Sequence, residues 1–327
     1  MHIKNHTSSL LELIRYANKE RTLELEARLK NTQNNQLTSE VFFNVMKRLK
    51  GTPSIRLSEE TTSLDIGLSG DYNDLRVTIN GDQNITDYCK KNELKLINSK
   101  SVDYMRKKPI RHVDINEYNL RFNLKREEMI EDTDSDIVDI LKGWSNLDKT
   151  FRYKKRFSFH SVDGLFRFDL TSVKTSQKKM VQGKNTKMKK KDIKPYMYKY
   201  IIKPAYVVDV KSWLEKQADN SMIEMKGKSY PELISFKSLQ KSNVLKNDLE
   251  YEIEVEYLGN KLPKGRPDDK GILGAFMQKV IIILQAVQKS YYIISEVEKM
   301  NVIDEVFKSQ LNTLQLNFLK LLTKNES

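Results

Sequence analysis

The chain has 327 residues and a formal net charge of +13. That length is enough for a substantial core, and the charge favours a polyanionic partner. A single cysteine, Cys89, excludes a disulfide framework or a cysteine metal cluster and points to a reducing, intracellular setting. His2, His6, His112 and His160 show no paired spacing of the kind a zinc site uses. The polar opening at residues 1–6 lacks a signal-peptide pattern, and the longest aliphatic run, 280–284, is too short to span a bilayer, so no membrane partner is expected.

In chain order, Ser8 or Ser9 can cap a helix whose apolar face is Leu10, Leu13, Ile14 and Ala17. Residues 23–29 alternate Leu and Ala with Glu24, Glu26 and Arg28, the pattern of a strand with one apolar and one charged face. Ser39 can cap a second helix, with Phe42, Val45, Met46 and Leu49 on one side and Gly51 and Pro53 as its stop. Short strands then follow at 54–57, 63–68, 75–80, 101–109, 117–127, 151–159 and 165–174, with a short helix over 134–144. This is the rhythm of a meandering antiparallel sheet. Residues 177–194 carry eight lysines and one acid and read as a flexible hairpin tip, either a solvated loop or an electrostatic guide for RNA. Residues 196–210 suit an added strand pair, and 212–245 form a mixed insertion without a clear element. The run 250–257 again alternates, setting Glu250, Glu252, Glu254 and Glu256 against Tyr251, Ile253, Val255 and Tyr257. After a boundary loop at 259–271, Phe276, Val280, Ile283, Leu284, Val287, Tyr291 and Ile294 follow helical spacing. Phe307, Leu311, Leu314, Phe318 and Leu321 do so again.

Nearly every strand is half apolar and half ionic. Arg152, Lys154 and Arg156 share one face of their strand; Asn119, Arg121, Asn123, Lys125 and Glu127 share another; Arg167, Asp169 and Thr171 a third; Arg76 and Thr78 a fourth. Two architectures fit: a sheet with one solvated face, or a closed barrel with an ionic lumen and a helix-covered exterior. Acids concentrate on the first and last strands and bases on those between, which suits a lumen holding a metal at one side and phosphates at the other. Carboxylates crowded together call for a cation, and a hard divalent metal with oxygen ligands is the natural one.

ELEARL at 24–29 and YEIEVEY at 251–257 together resemble the two metal-binding strands of the triphosphate tunnel metalloenzymes. RYKKR at 152–156 and RFDLTSVK at 167–174 are similar to that family's basic strand and its Asp-x-Thr strand. The stretches 75–89, 118–128 and 242–256 resemble more narrowly the RNA 5′-triphosphatase domain of mRNA capping enzymes from large DNA viruses.

The resemblance implies a mainly β (α+β) fold: an eight-stranded antiparallel β-barrel with surrounding helices. The tunnel domain would span 1–260, including a basic, partly flexible insertion at about 176–245. A C-terminal helical extension at 271–327 would pack on the barrel or lead to another domain. It implies that Glu24, Glu26, Glu252 and Glu254 hold Mg2+ or Mn2+, with Glu256 as a supporting or additional ligand. Arg76, Arg121, Lys125, Arg152, Lys154 and Arg156 would bind the phosphates, Asp169 and Thr171 would orient those basic residues and a water, and Glu127, inward by parity, or Glu256 would position or deprotonate that water. Of Arg106, Lys107 and Lys108, one or two should enter the lumen.

The activity implied is removal of the γ-phosphate from 5′-triphosphate RNA, the first step of mRNA capping, with nucleoside triphosphates also hydrolysed. Guanylyltransferase and methyltransferase domains or subunits would be partners, and a viral protein of this kind would work in the host cytoplasm, in a viral factory or virion. The chain's own near match to a guanylyltransferase motif, residues 161–164, lacks the lysine and reads as a hairpin turn. Alternatives are a nucleoside-triphosphatase or polyphosphatase of the same fold, a non-catalytic RNA-binding barrel, or a scaffold whose C-terminal helices bind a partner.

Overall fold

The structure is a computed structural model. It describes residues 4–31, 37–193, 198, 201–204, 207–227, 229–261, 267–295 and 298. The elements run α1 (Thr7–Ala17), β1 (Leu23–Leu29), α2 (Ser39–Lys50), β2 (Ile55–Leu68), β3 (Leu75–Asn80), α3 (Asp82–Lys91), β4 (Val102–Ile115), β5 (Leu120–Ile130), α4 (Ser135–Gly143), β6 (Lys149–Ser161) and β7 (Phe166–Thr175). They continue through β8 (Lys178–Gln182), β9 (Thr186–Lys189), α5 (Val210–Glu215), β10 (Met222–Met225), β11 (Ser229–Leu233), α6 (Leu239–Ser242), β12 (Leu249–Tyr257) and α7 (Asp269–Gln288).

Eight strands close into an antiparallel barrel in the order β1, β12, β7, β6, β2, β3, β4, β5. Period-two alternation makes closure favourable: the strands turn most of their leucines, valines and phenylalanines outward and many of their charges inward, so much of the apolar surface lies on the outside of the barrel. Two groups of helices cover it. On one side α1, α2 and α7 bury Leu13, Phe42 and Phe276 against Leu25, Phe122, Phe166 and Val255. On the other, α3 and α4 bury Tyr88, Ile137 and Ile140 against Ile66, Val77 and Phe151. The first turns of α2 and α7 are capped by Thr38 and Asp268, whose side chains accept from Val41 N and Gly271 N. The cap of α2 is therefore one residue earlier than the sequence suggests, and α1 begins before Ser8.

The strands expected at 54–57 and 63–68 are one strand, β2, with a register shift between Leu57 and Glu59. β4 runs on to Ile115, past the expected end at 109, through a second irregularity at Pro109, which has no N–H for the ladder. α3 has no counterpart among the sequence-derived elements, because only Ile85 and Tyr88 mark its buried face. Gly164, at φ 69°, closes the expected turn between β6 and β7.

The lysine-rich segment is not a bare tip: β8 pairs with β11 and β9 with β10, and Ile193, Ile201, Leu214, Ile223 and Met225 form a small separate core. Of the strand pair expected at 196–210, only the Ile201 bridge to Met225 falls among described residues. α7 ends at Gln288, so Tyr291 and Ile294 fall outside the helix. The 307–321 stripe lies outside the described residues. α7 is long and apolar enough to cross a membrane, but Ile272, Phe276, Val280, Ile283 and Leu284 are buried within the chain.

Phe276 packs its ring on Phe122 and Phe166, at centroid distances of 5.3 and 5.2 Å. Phe276→Ala should cost about 3–5 kcal/mol of stability through the cavity it leaves. A urea denaturation midpoint lowered at unchanged m-value would register this.

Candidate active site in the barrel lumen

The barrel encloses a cavity of about 440 Å³ whose lining is ionic and polar apart from Met105 and Met129. Among the described residues ten carboxylates and nine cationic side chains line it, so this lining is close to charge-balanced. The surrounding wall excludes much of the solvent, and each unmatched charge there would be costly.

β1 contributes Glu24, Glu26 and Arg28, held inward because Leu23, Leu25, Ala27 and Leu29 are anchored in the outer core. β12 contributes Glu252, Glu254 and Glu256. The register places Glu26 opposite Glu256 and Arg28 opposite Glu254. Glu252 therefore lies beyond Arg28, away from Glu24 and Glu26. The Arg152 guanidinium donates 2.8 Å hydrogen bonds to both Glu252 oxygens, and Arg28 also pairs with it. Burial alone would raise the Glu252 carboxyl, but Arg152 and Arg28 hold it down to about 2.

Glu26 accepts from Lys125 and, at 2.9 Å, from Asn123 Nδ2. Burial, reinforced by the Glu254 and Glu24 charges, nonetheless pushes its carboxyl up to about 7. Glu24 pairs with Lys107 Nζ at 3.0 Å. Burial opposes its ionisation, yet the hydrogen bond with Glu127 and the Lys107 and Lys125 charges hold it well below the usual carboxylate range. Glu127 takes the other part: burial and the neighbouring Glu24 push it up to about 7. Glu256 is held by Arg167 Nη2 at 2.5 Å and Lys261 Nζ at 2.8 Å.

The basic side is built on β6. Lys154 Nζ lies 2.6 Å from Asp65, which also faces Arg76 at 3.6 Å and accepts from Thr78 Oγ1 at 3.1 Å. Burial lowers the Lys154 ammonium to about 8 despite the Asp65 charge. Arg156 donates from Nε to Thr171 Oγ1 at 3.3 Å and lies 3.4 Å from Asp169. Asp169 also accepts from Ser158 Oγ at 2.7 Å and Arg167 Nε at 3.1 Å.

Of the residues singled out from sequence, Glu24, Glu26, Glu127, Glu252, Glu254, Glu256, Arg76, Lys125, Arg152, Lys154, Arg156 and Asp169 line this one cavity. Thr171 is buried behind Arg156. Arg121 departs from expectation: it does not line the cavity but donates to both Asp114 oxygens at 2.7 and 2.9 Å, near the end of the barrel. Lys107 alone of the 106–108 trio faces the lumen, while Arg106 and Lys108 pair with Asp74. The described site residues not assigned from sequence are Arg28, Glu59, Asp65, Asp103, Arg167 and Lys261. Parity marks Arg28 and Arg167, which are in phase with assigned neighbours. Parity likewise sets Asp65 opposite Leu64 and Ile66 in the expected 63–68 strand, but no assigned neighbour on that strand drew it into the site. The expected division of acids from bases by strand is incomplete, since Arg28 and Asp65 each sit among the opposite sign.

A hard divalent cation fits this donor set. Its acids offer hard oxygen donors, and Glu26 is raised by burial and then by the Glu254 and Glu24 charges, which a cation would offset. Among the described residues, no three carboxylates or imidazoles close on one point, since Arg28, Lys125 and Lys107 engage them as ion pairs.

No family model and no curated protein sequence matches the chain. Solved structures do. The RNA triphosphatase domain of a trifunctional mimivirus mRNA capping enzyme superposes with a TM-score of 0.52 at 15% identity, covering 88% of this chain and 100% of that one. A monoclinic structure of mimivirus capping enzyme triphosphatase gives 0.50 at 15% identity, over 86% of this chain and 98% of that one. At this identity the likeness is one of fold: the chain shares the barrel fold of these RNA triphosphatase domains.

Glu26 and Glu127, at about 7 in the folded chain against 4.5 for the unperturbed group, bind more protons folded than unfolded between those values. Stability should therefore fall as pH rises from 5 to 8 in metal-free buffer. Glu252 works in the opposite sense, but its contribution is complete above about pH 4.5. Glu26→Gln should flatten the decline by on the order of 2 kcal/mol, and added Mg2+ or Mn2+ should stabilise the natural chain more at pH 8 than at pH 5. Thermal melts across that range check both.

Proposed function

We propose that the chain is a metal-dependent RNA 5′-triphosphatase that converts triphosphate-ended RNA to the 5′-diphosphate. The observation that carries this reading is the single enclosed lumen in which carboxylates of β1 and β12 face the arginines and lysines of β6, β3 and β5. A 5′-triphosphate carries about four negative charges and needs several cationic donors at once, while a carboxylate cluster needs a metal. The fold shared with RNA triphosphatase domains supports the same reading.

Glu24, Glu26, Glu254 and Glu256 would hold the Mg2+ or Mn2+. The register favours Glu256 over Glu252 as the close partner of Glu26. When bound, the metal supplies charge neutralisation at the phosphate oxygens. Arg152, Lys154 and Arg76, now engaged by Glu252 and Asp65, become phosphate donors when the anion replaces those contacts. Asp169 and Thr171 hold the Arg156 guanidinium toward the lumen. Glu127 accepts the proton of the attacking water; a carboxyl near 7 is matched to that task at neutral pH. Phosphoryl transfer asks the protein mainly for positioning and electrostatics, which this lumen provides.

Among the described residues no aromatic ring lines the cavity, so none of them stacks on a base there. This favours nucleoside triphosphates as additional substrates. The near balance of charges disfavours a non-catalytic barrel that tracks an RNA backbone, which would need a net positive lining.

Phosphate release from γ-labelled triphosphate RNA should require a divalent metal and stop with chelator. Glu24→Ala, Glu26→Ala, Glu254→Ala and Glu256→Ala should each lower it by about a hundredfold or more. Arg121→Ala, outside the lumen, should stay within about twofold of the natural chain. Near-normal rates in any two of the glutamate variants would refute the metal assignment.

A further inference from the structure

The chain's positive charge does not reside in the lumen. Residues 176–237 hold fifteen lysines, six acids and no arginine or histidine, a net +9 of the whole chain's +13. The lumen, with nine cations and ten carboxylates, is balanced. Part of the excess charge sits on a small folded platform: the β9–β10 ribbon packs Met188 and Ile223 into the small core with Leu214 and Met225. The same pairing turns Lys187 and Lys189 to the opposite, exposed face, and Lys184 is exposed beside them. Among the described residues none of these three makes a salt bridge, whereas Lys190 pairs with Asp219 at 2.8 Å.

The platform is mounted on the catalytic strands. β8 follows β7 directly, and Ile234 N donates to Gln177 O at 2.8 Å. Lys149, at the start of β6, exchanges backbone hydrogen bonds of 2.9 and 2.7 Å with Phe236. Thr175 is in register with Arg152. Lys184 is nine residues further along, so it lies within about 30 Å of that level even if the chain is fully extended. At about 3.4 Å per nucleotide, roughly ten nucleotides cover this span.

We propose that the β8–β11 insertion, through Lys184, Lys187 and Lys189, binds the phosphate backbone of the RNA downstream of the triphosphate and gives RNA preference over free nucleotide. This deepens, and rests on, the triphosphatase reading of the lumen. The chemistry matched is a polyanion of regularly spaced single charges, which lysines bind without base specificity.

The test uses the full chain with Lys184, Lys187 and Lys189 changed together to Ala, and together to Arg. For a triphosphate RNA of about twenty nucleotides at low salt, the alanine variant should raise KM about tenfold or more at unchanged kcat. KM and kcat for GTP should not move, and the arginine variant should behave as the natural chain. Binding to the same RNA with a 5′-hydroxyl should weaken in parallel. Its log–log salt slope should flatten by about 2, since each single-strand phosphate contact is worth about 0.7. Unchanged RNA binding and KM in the alanine variant would overturn the proposal. So would loss of binding to anionic phospholipid vesicles with RNA binding intact, which would assign the surface to a membrane. The 5′-hydroxyl RNA carries no triphosphate, so failure of the triphosphatase reading would appear separately, as absent phosphate release with the binding difference preserved.

Discussion

The lumen must be electrically matched, and much else about this chain follows from that. Closing eight half-ionic strands into a barrel removes their charges from bulk water, and ion pairs between adjacent strands meet the resulting cost. Arg28 and Arg152 serve Glu252, Lys154 and Arg76 serve Asp65, and Arg167 and Lys261 serve Glu256. Buried pairs of this kind contribute little net stability, because desolvation offsets much of their attraction. What they do contribute is placement: each charged side chain is held facing the lumen by its partner. Where matching is incomplete, at Glu26 and Glu127, the carboxyls rise to about 7. These are the groups on which a cation, or a proton taken from water, would have most effect.

The barrel wall makes that interior possible. Outward residues of β1, β5, β7 and β12 are sealed by α1, α2 and α7, and those of β2, β3 and β6 by α3 and α4. Closure joins every strand to two neighbours, although the long strands β2 and β4 pair with β3 only over Ser63–Gly67 and Val102–Arg106. The helices thus fix the inward direction of the charges without contributing to the lumen.

Two charged features are kept apart. The lumen is balanced and built on the barrel strands; the insertion is strongly positive and has its own small core. A lumen with the insertion's charge would be hard to desolvate, and a surface with the lumen's balance would have no long-range pull on RNA.

The sequence by itself determined the strand phase. Alternation in β1, β5, β6, β7 and β12 assigned the inward side of Glu24, Lys125, Lys154, Asp169 and Glu254, because a residue's side of a strand depends only on its parity. Helices with full apolar stripes, α1, α2 and α7, were equally legible. α3 was not, with two buried residues to mark it, nor was the continuity of β2, where a register shift interrupts the pattern. Tertiary structure alone decided closure over an open sheet, the Glu26 to Glu256 register that displaces Glu252, and the entry of Lys107 in place of Arg106 and Lys108. It also turned Arg121 to Asp114 and gave the lysine-rich segment its partner strands. These depend on which residues from distant segments lie opposite one another, and strand pairing is a property of two segments that neither encodes alone.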